Sequence, residues 1–202
     1  MRYRNDDVVI KTNKNNNKMK ATEQLMEEHE GIKLMLSIIE SFNKKAEAGE
    51  EVNVEHLESM IDFIKTFADK CHHGKEEEVL FPAMVKAGMS YDNGPVAVML
   101  IEHDQGRAFV KGLTEAFNAY KSDDKTALKG IVENSTGYIN LLRSHIDKEN
   151  NILFRMADQI IDPGLHDSIY EAFEKIELEK IGAGKHEEYH ELLHKLQVIY
   201  LK

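Results

Sequence analysis

Apolar residues recur at helical spacing in four long segments of the chain. In the first segment Leu25, Ile32 and Ile39 lie on one stripe, which predicts a helix over about 21–47. Similar stripes predict three further helices, over about 53–86, 96–121 and 124–160. Because short runs rich in Gly, Asp, Asn, Ser and Pro separate these segments, the pattern predicts an all-α, up-down-up-down four-helix bundle.

The remaining parts of the chain flank this bundle. Residues 1–19 are polar and predict a flexible N-terminal arm, and residues 20–161 form the predicted bundle. Residues 162–202 predict a C-terminal helical extension with a break near Gly182. Pro82 falls inside the second helical pattern and predicts a kink near its end.

The chain also contains an internal repeat. Residues 26–30 read Met-Glu-Glu-His-Glu and residues 100–104 read Leu-Ile-Glu-His-Asp, an offset of 74 positions. Residues 72–81 match residues 145–154 at an offset of 73, and both stretches end in Leu-Phe. The first two helices therefore resemble the last two as copies of one hairpin, which places the repeated residues opposite each other across the core.

Composition narrows the class of protein. The 36 acidic residues against 26 basic ones give a net charge of -10, which disfavours a nucleic-acid partner. The single cysteine, Cys71, excludes an intrachain disulfide and is interpreted as a core residue. No apolar run reaches the length of a signal peptide core or a membrane span, so we expect a soluble, cytoplasmic protein without a membrane partner.

Candidate chemistry lies on the apolar faces of the predicted helices. Two His-x-x-x-Glu pairs and two single histidines make up the set: His29, His72, Glu76, His103, His145 and Glu149. Members of a pair are four residues apart and share a helix face. Buried imidazoles and carboxylates are unfavourable without partners, and a metal ion would be a partner for all of them. Nitrogen and oxygen donors without thiolate favour iron or manganese over structural zinc.

An overlapping pair, His73 and Glu77, competes with this assignment. The repeat argues against it, because Ile146 and Asn150 stand at the matching positions. We therefore expect His73 and Glu77 to lie towards the edge of the helix. A supporting role for His73, or a register shifted by one residue, is the alternative.

Other polar residues carry weaker signals. His186, His190 and His194 follow each other at four-residue spacing, and the simplest interpretation is a solvated helix face. The alternative is that one of them supplies a further metal ligand. Glu28 and Glu102, which precede the single histidines, have no role that the sequence predicts.

The histidine and glutamate pattern resembles the hemerythrin family, in its His-His-Glu cation-binding branch, over roughly residues 22–160. The stretch from His72 to Pro82 is especially similar to the family's second helix. The resemblance implies two non-haem iron ions bridged by two carboxylates and an oxo or hydroxo group, with one iron open to O2. It also implies that the six residues of the set are the ligands.

Two departures from the family bear on function. Met99 stands one turn before His103, where the invertebrate oxygen carriers have a fifth histidine, and Glu149 replaces an aspartate placed one residue later. Simple oxygen carriage is therefore a weaker prediction than binding or sensing of O2, NO or peroxide, or handling of iron. An enzyme-like role in peroxide or NO detoxification, or in repair of iron-sulfur centres, is one alternative. A structural metal or an iron store is another.

Overall fold

The computed structural model describes residues 20–201, which form helices joined by short loops and contain no strand. The all-α prediction is thus confirmed for this part of the chain, and the predicted arm at 1–19 lies outside it. The described residues form α1 at Ala21–Glu47, α2 at 54–86, α3 at Pro95–Lys121, α4 at 128–160, α5 at His166–Lys180 and α6 at Lys185–Tyr200. Among these helices, none is long and apolar enough to cross a membrane.

Local sequence explains where the helices begin and end. The Asn53 side chain accepts a hydrogen bond from the backbone N–H of His56 at the start of α2. Gly94, with φ of 96°, turns the chain into α3. Gly182 and Gly184, with φ of 88° and 81°, produce the predicted break between α5 and α6.

Two apolar clusters lie on either side of a polar layer. On α1, Leu25 belongs to one cluster and Ile32 to the other, with His29 between them. Along the chain, α1 and α3 contribute first to the cluster of Leu25 and then to the cluster of Ile32. The helices α2 and α4 contribute to the two clusters in the opposite order. The buried histidines and glutamates are therefore held at one level of the helix assembly, with apolar packing on both sides.

Both α2 and α4 contain π-helical turns at this level. In α2 they cover Ile64–His73 and Glu76–Leu80, and in α4 one covers Glu149–Leu153. The backbone N–H of Phe81 donates to the carbonyl of Glu76, five residues earlier, and Phe154 does the same to Glu149. Pro82 comes shortly after the stretch Glu76–Leu80, whereas Arg155 stands at the matching place after Glu149–Leu153. The π-helical turn in α4 therefore forms without proline. Such turns are frequent at functional sites.

The C-terminal helices cover the four long ones. The side chains of Leu193 and Leu196 on α6 are buried in the same cluster as Ile39, and Phe173 on α5 is buried in the other. The Ser41 hydroxyl donates to the carbonyl of Tyr200 at 2.6 Å. The extension therefore shares both apolar clusters with the long helices.

We predict that Leu196→Ala destabilises the whole fold by about 2–5 kcal/mol, because Leu196 is 0% exposed and its loss leaves a cavity. Urea unfolding followed by circular dichroism measures this change. Val198→Ala on the same helix is the matched control, since Val198 is 40% exposed and should change stability by less than about 0.5 kcal/mol. Equal effects of the two substitutions would show that α6 does not pack as described.

Candidate metal centre

The six histidines and glutamates singled out in the sequence come together at the polar layer, and none is more than 1% exposed. Together with His73 they form two groups whose potential ligand atoms lie within 4.8 Å of one another. The first group is His29, His72, Glu76 and Glu149, and the second is His73, Glu76, His103 and His145. Glu76 belongs to both groups.

Each glutamate reaches histidines of both groups. Glu149 Oε2 lies 3.2 Å from Nε2 of His29, and its Oε1 lies 3.2 Å from Nε2 of His145. Glu76 Oε1 and Oε2 lie 3.8 Å and 3.5 Å from Nε2 of His72 and His103. Each carboxylate therefore lies between the two groups.

His73, which the sequence supported only as an alternative, belongs to the second candidate group. Its side chain is 4% exposed, and its ring stacks on His103 with centroids 3.9 Å apart and planes 14° apart. The prediction that His73 lies at the helix edge is therefore wrong. His73 ends a π-helical stretch, whereas Ile146 at the matching position lies in an ordinary α-helical turn. The adjacent histidines His72 and His73 were the sequence signal for this position, and Ile146 at the matching position of the repeat indicated against it.

Glu77 lies behind the site. Its Oε1 accepts a hydrogen bond from Nδ1 of His103 at 2.6 Å and another from Arg107 at 2.7 Å. Glu76, in contrast, is 0% exposed and faces both groups. The two neighbouring glutamates thus differ in position. Glu76 is a candidate ligand, whereas Glu77 supports the candidate ligand His103 from outside the two groups.

Every imidazole of the site is oriented through its Nδ1 atom. The oxygen partners and distances are Asn150 to His29 at 2.8 Å, Glu28 to His72 at 2.8 Å, Asp69 to His73 at 3.3 Å, Glu77 to His103 at 2.6 Å and Glu102 to His145 at 2.9 Å. An acceptor oxygen at Nδ1 requires the proton on that atom and directs Nε2 towards the centre. Metal-binding histidines are held in this way.

Glu28, for which no role was predicted from the sequence, supports His72 from α1. Burial raises its pKa, but hydrogen bonds and charge from His72 and Lys75 lower the pKa to about 2. Lys75 Nζ donates to Glu28 at 2.6 Å and to Glu177 of α5 at 2.8 Å, and its side chain is 0% exposed. The C-terminal extension therefore completes the ion-pair network behind this histidine.

The second half of the repeat reproduces part of this network. Glu102 accepts from His145 and from Lys148, at positions that match those of Glu28, His72 and Lys75. The Lys148 side chain is 34% exposed. Lys148 is therefore accessible to solvent, whereas the matching Lys75 is covered by α5.

The two carboxylates at the centre of the site lack hydrogen-bond partners among the described residues. None of the four carboxylate oxygens of Glu76 and Glu149 has a hydrogen bond within residues 20–201. Burial and the nearby Glu149 raise the pKa of Glu76 well above its ordinary value. Burial lowers the pKa of His145, but Glu149 and Glu102 together raise it to about 9. Facing carboxylates and imidazole nitrogens without sulfur fit a cation such as iron or manganese.

Other residues considered from the sequence lie outside both groups. Cys71 is buried, and burial raises the pKa of its thiol to about 12, which makes the thiol unreactive. Met99 is buried in the apolar cluster nearest the start of α3. The rings of His186 and His190 contact each other on α6, with centroids 4.6 Å apart, and neither residue belongs to the groups described above.

A helical fold that buries two His/Glu groups around shared carboxylates defines a candidate metal-binding protein. Residues 20–157 match the family described as the hemerythrin HHE cation binding domain. The chain therefore belongs to the hemerythrin family, as its histidine pattern predicted.

Comparison with curated proteins gives distant relatives. The chain is 24% identical over 162 residues to the uncharacterized protein Rv1995 of Mycobacterium tuberculosis, which covers 80% of this chain and 63% of that protein. It is 37% identical over 89 residues to the iron-sulfur cluster repair protein YtfE of Escherichia coli, covering 43% of this chain and 40% of YtfE. The chain thus spans less than two thirds of the length of these relatives. No solved structure matches it.

We predict that His73→Ala lowers the amount of bound metal by about half, because one group loses an imidazole while the other keeps its four donors. Metal per chain after gel filtration measures this. His194→Ala is the control, since His194 is an exposed histidine outside both groups. Unchanged metal content in His73→Ala would remove this residue from the site.

We also predict different outcomes for two neighbouring glutamates. Glu76→Gln should abolish metal binding in both groups, because both share this carboxylate. Glu77→Gln keeps an oxygen that can accept from His103, so metal affinity should fall by no more than about 10–100-fold. Competition with a chelator measures both affinities. If Glu77→Gln empties the site and Glu76→Gln does not, the register described here is wrong.

Proposed function

We propose that this chain is a hemerythrin-like protein that binds two non-haem iron ions. The main support is that four buried carboxylate oxygens without hydrogen bonds lie 3.2–3.8 Å from the Nε2 atoms of four histidines, His29, His72, His103 and His145. One ion would be held by the first group, with His29 and His72, and the other by the second group, with His73, His103 and His145. Glu76 and Glu149 would be shared.

We infer that the four long helices run up, down, up and down. The reversal of the apolar clusters along successive helices supports this topology, because neighbouring antiparallel helices meet the same layers in opposite order. Residues 20–161 would then form the bundle and residues 162–202 an extension packed on it. This arrangement explains how one layer receives donors from all four helices.

The two groups are unequal, and this inequality supports binding of a small ligand at one of them. The first group has two imidazoles, whereas the second has three, because Ile146 stands where a counterpart of His73 would be. Bound iron would supply redox chemistry towards O2, NO or peroxide. The rings of His29 and Phe154 stack with centroids 5.5 Å apart, which places an apolar side chain beside the first group.

A role in the repair of iron-sulfur centres is the second candidate. It is favoured by the similarity to YtfE, which is named as an iron-sulfur cluster repair protein. Two small groups provide positions for two ions, which argues against bulk iron storage. Measurement of iron transfer distinguishes the two candidate functions. Repair requires transfer of iron to a damaged acceptor protein, whereas ligand sensing does not.

We predict about two iron ions per chain when the protein is purified from iron-supplied cells, because each group offers a set of nitrogen and oxygen donors. Elemental analysis measures the count, and optical titration with O2 and NO should change the iron spectrum. Iron removal should lower the melting temperature, since a ligand at about 100 times its dissociation constant stabilises a fold by about 2.7 kcal/mol. The Glu76→Gln variant is the matched control and should show none of these effects. One zinc ion per chain, with no iron, would contradict the proposal.

A further inference from the structure

A cavity of about 420 Å³ lies beside the second group, between α2, α3 and α4. His73 and Tyr138 contribute to its lining, and Gly106 and Val110 belong to its α3 wall. A Cβ atom at Gly106 would lie 3.6 Å from Cε2 of Tyr138, so the glycine leaves space next to the tyrosine ring. The volume is in the range of pockets that bind small organic molecules.

Tyr138 brings an unpartnered polar group to this cavity. Its side chain is 2% exposed, yet its hydroxyl has no hydrogen bond to any residue within 20–201. A tyrosine hydroxyl can donate one hydrogen bond, and the Tyr138 donor is not used within these residues. A ligand oxygen in the cavity would accept a hydrogen bond from it.

The mouth of the cavity carries excess positive charge. Lys65 and Lys70 are exposed, and neither has an ion-pair partner in the described part of the chain. Lys111 has only Glu115 at 4.0 Å, at the limit of an ion pair. The chain as a whole has a net charge of -10, so this cationic rim runs against its overall charge. Such a rim attracts anions.

The other charges of the cavity are already paired with each other. Arg107 donates to Asp69 at 2.9 Å, and Asp69 also contacts Nδ1 of His73. The guanidinium is further neutralised by Glu77, at 2.7 Å. Lys65 and Lys70 are therefore the cations of the cavity that remain available to bind an anionic ligand.

We propose that this cavity binds a small organic anion, with its carboxylate or phosphate towards Lys65 and Lys70. Its apolar body would pack against Val110 and the Tyr138 ring, and an oxygen of the same acidic group would accept a hydrogen bond from the Tyr138 hydroxyl. His73 is shared by the cavity lining and the second group, so such a ligand binds next to the candidate metal centre. The site goes beyond the proposed binding of diatomic gases or peroxide, which are too small to need such a cavity.

Calorimetric titration of the full metal-loaded chain tests this site with benzoate, phenyl phosphate, neutral benzyl alcohol and cationic benzylamine. The two anions should bind at least about tenfold more tightly than the neutral and cationic probes, with affinity falling as salt is added. Lys65→Gln combined with Lys70→Gln should weaken anion binding by about tenfold. Tyr138→Phe, which removes only the hydroxyl, should weaken it by about threefold to tenfold.

Lys175→Gln is the charge-matched control, because Lys175 is on α5, is 73% exposed and pairs with Glu179 outside the cavity. It should leave anion binding unchanged. Metal content and helicity equal to the parent protein show that each variant has kept its fold. Equal affinity for benzoate and benzyl alcohol would overturn the proposal. So would unchanged binding in both cavity variants, or no binding at millimolar probe, which would mean a cavity filled by water only.

Discussion

The structure depends on two carboxylates, those of Glu76 and Glu149, that are buried at one level of the helix assembly. Their oxygens have no hydrogen bonds within the described residues, and they face imidazole nitrogens from all four long helices. Buried carboxylates of this kind require a positive partner. A shared cation would satisfy them and would also join the helices that carry the donors. Apolar packing on both sides keeps this layer away from water.

The repeat is preserved in this layer but is broken where the two groups differ. Both halves keep a histidine supported by a glutamate and a lysine, as in His72, Glu28 and Lys75. His73, in contrast, has Ile146 as its counterpart, and the extension covers only the network of the first half. A symmetric scaffold therefore holds two chemically unequal groups. The cavity with cationic lysines lies on the side of the group with three imidazoles.

The sequence alone determined the helices and most of the residues that meet at the site. Helix bounds followed from apolar spacing, as for α1, predicted over about 21–47 and observed at Ala21–Glu47. The pairing of His145 with Glu149 also followed, because residues four apart on a helix share a face. Both inferences use only the period of the α-helix, which acts over neighbouring residues. The family membership rests on the same local pattern.

Only the tertiary structure decided the features that depend on helix packing. The inward position of His73 arises from a π-helical stretch, which the regular α-helical period could not predict. The contact of Glu28 with His72 joins residues 44 positions apart, on different helices, and no local spacing encodes it. The cavity next to Tyr138 likewise exists only where three helices meet. Backbone period determines which residues share a face, whereas the choice of partner across helices depends on how those faces pack.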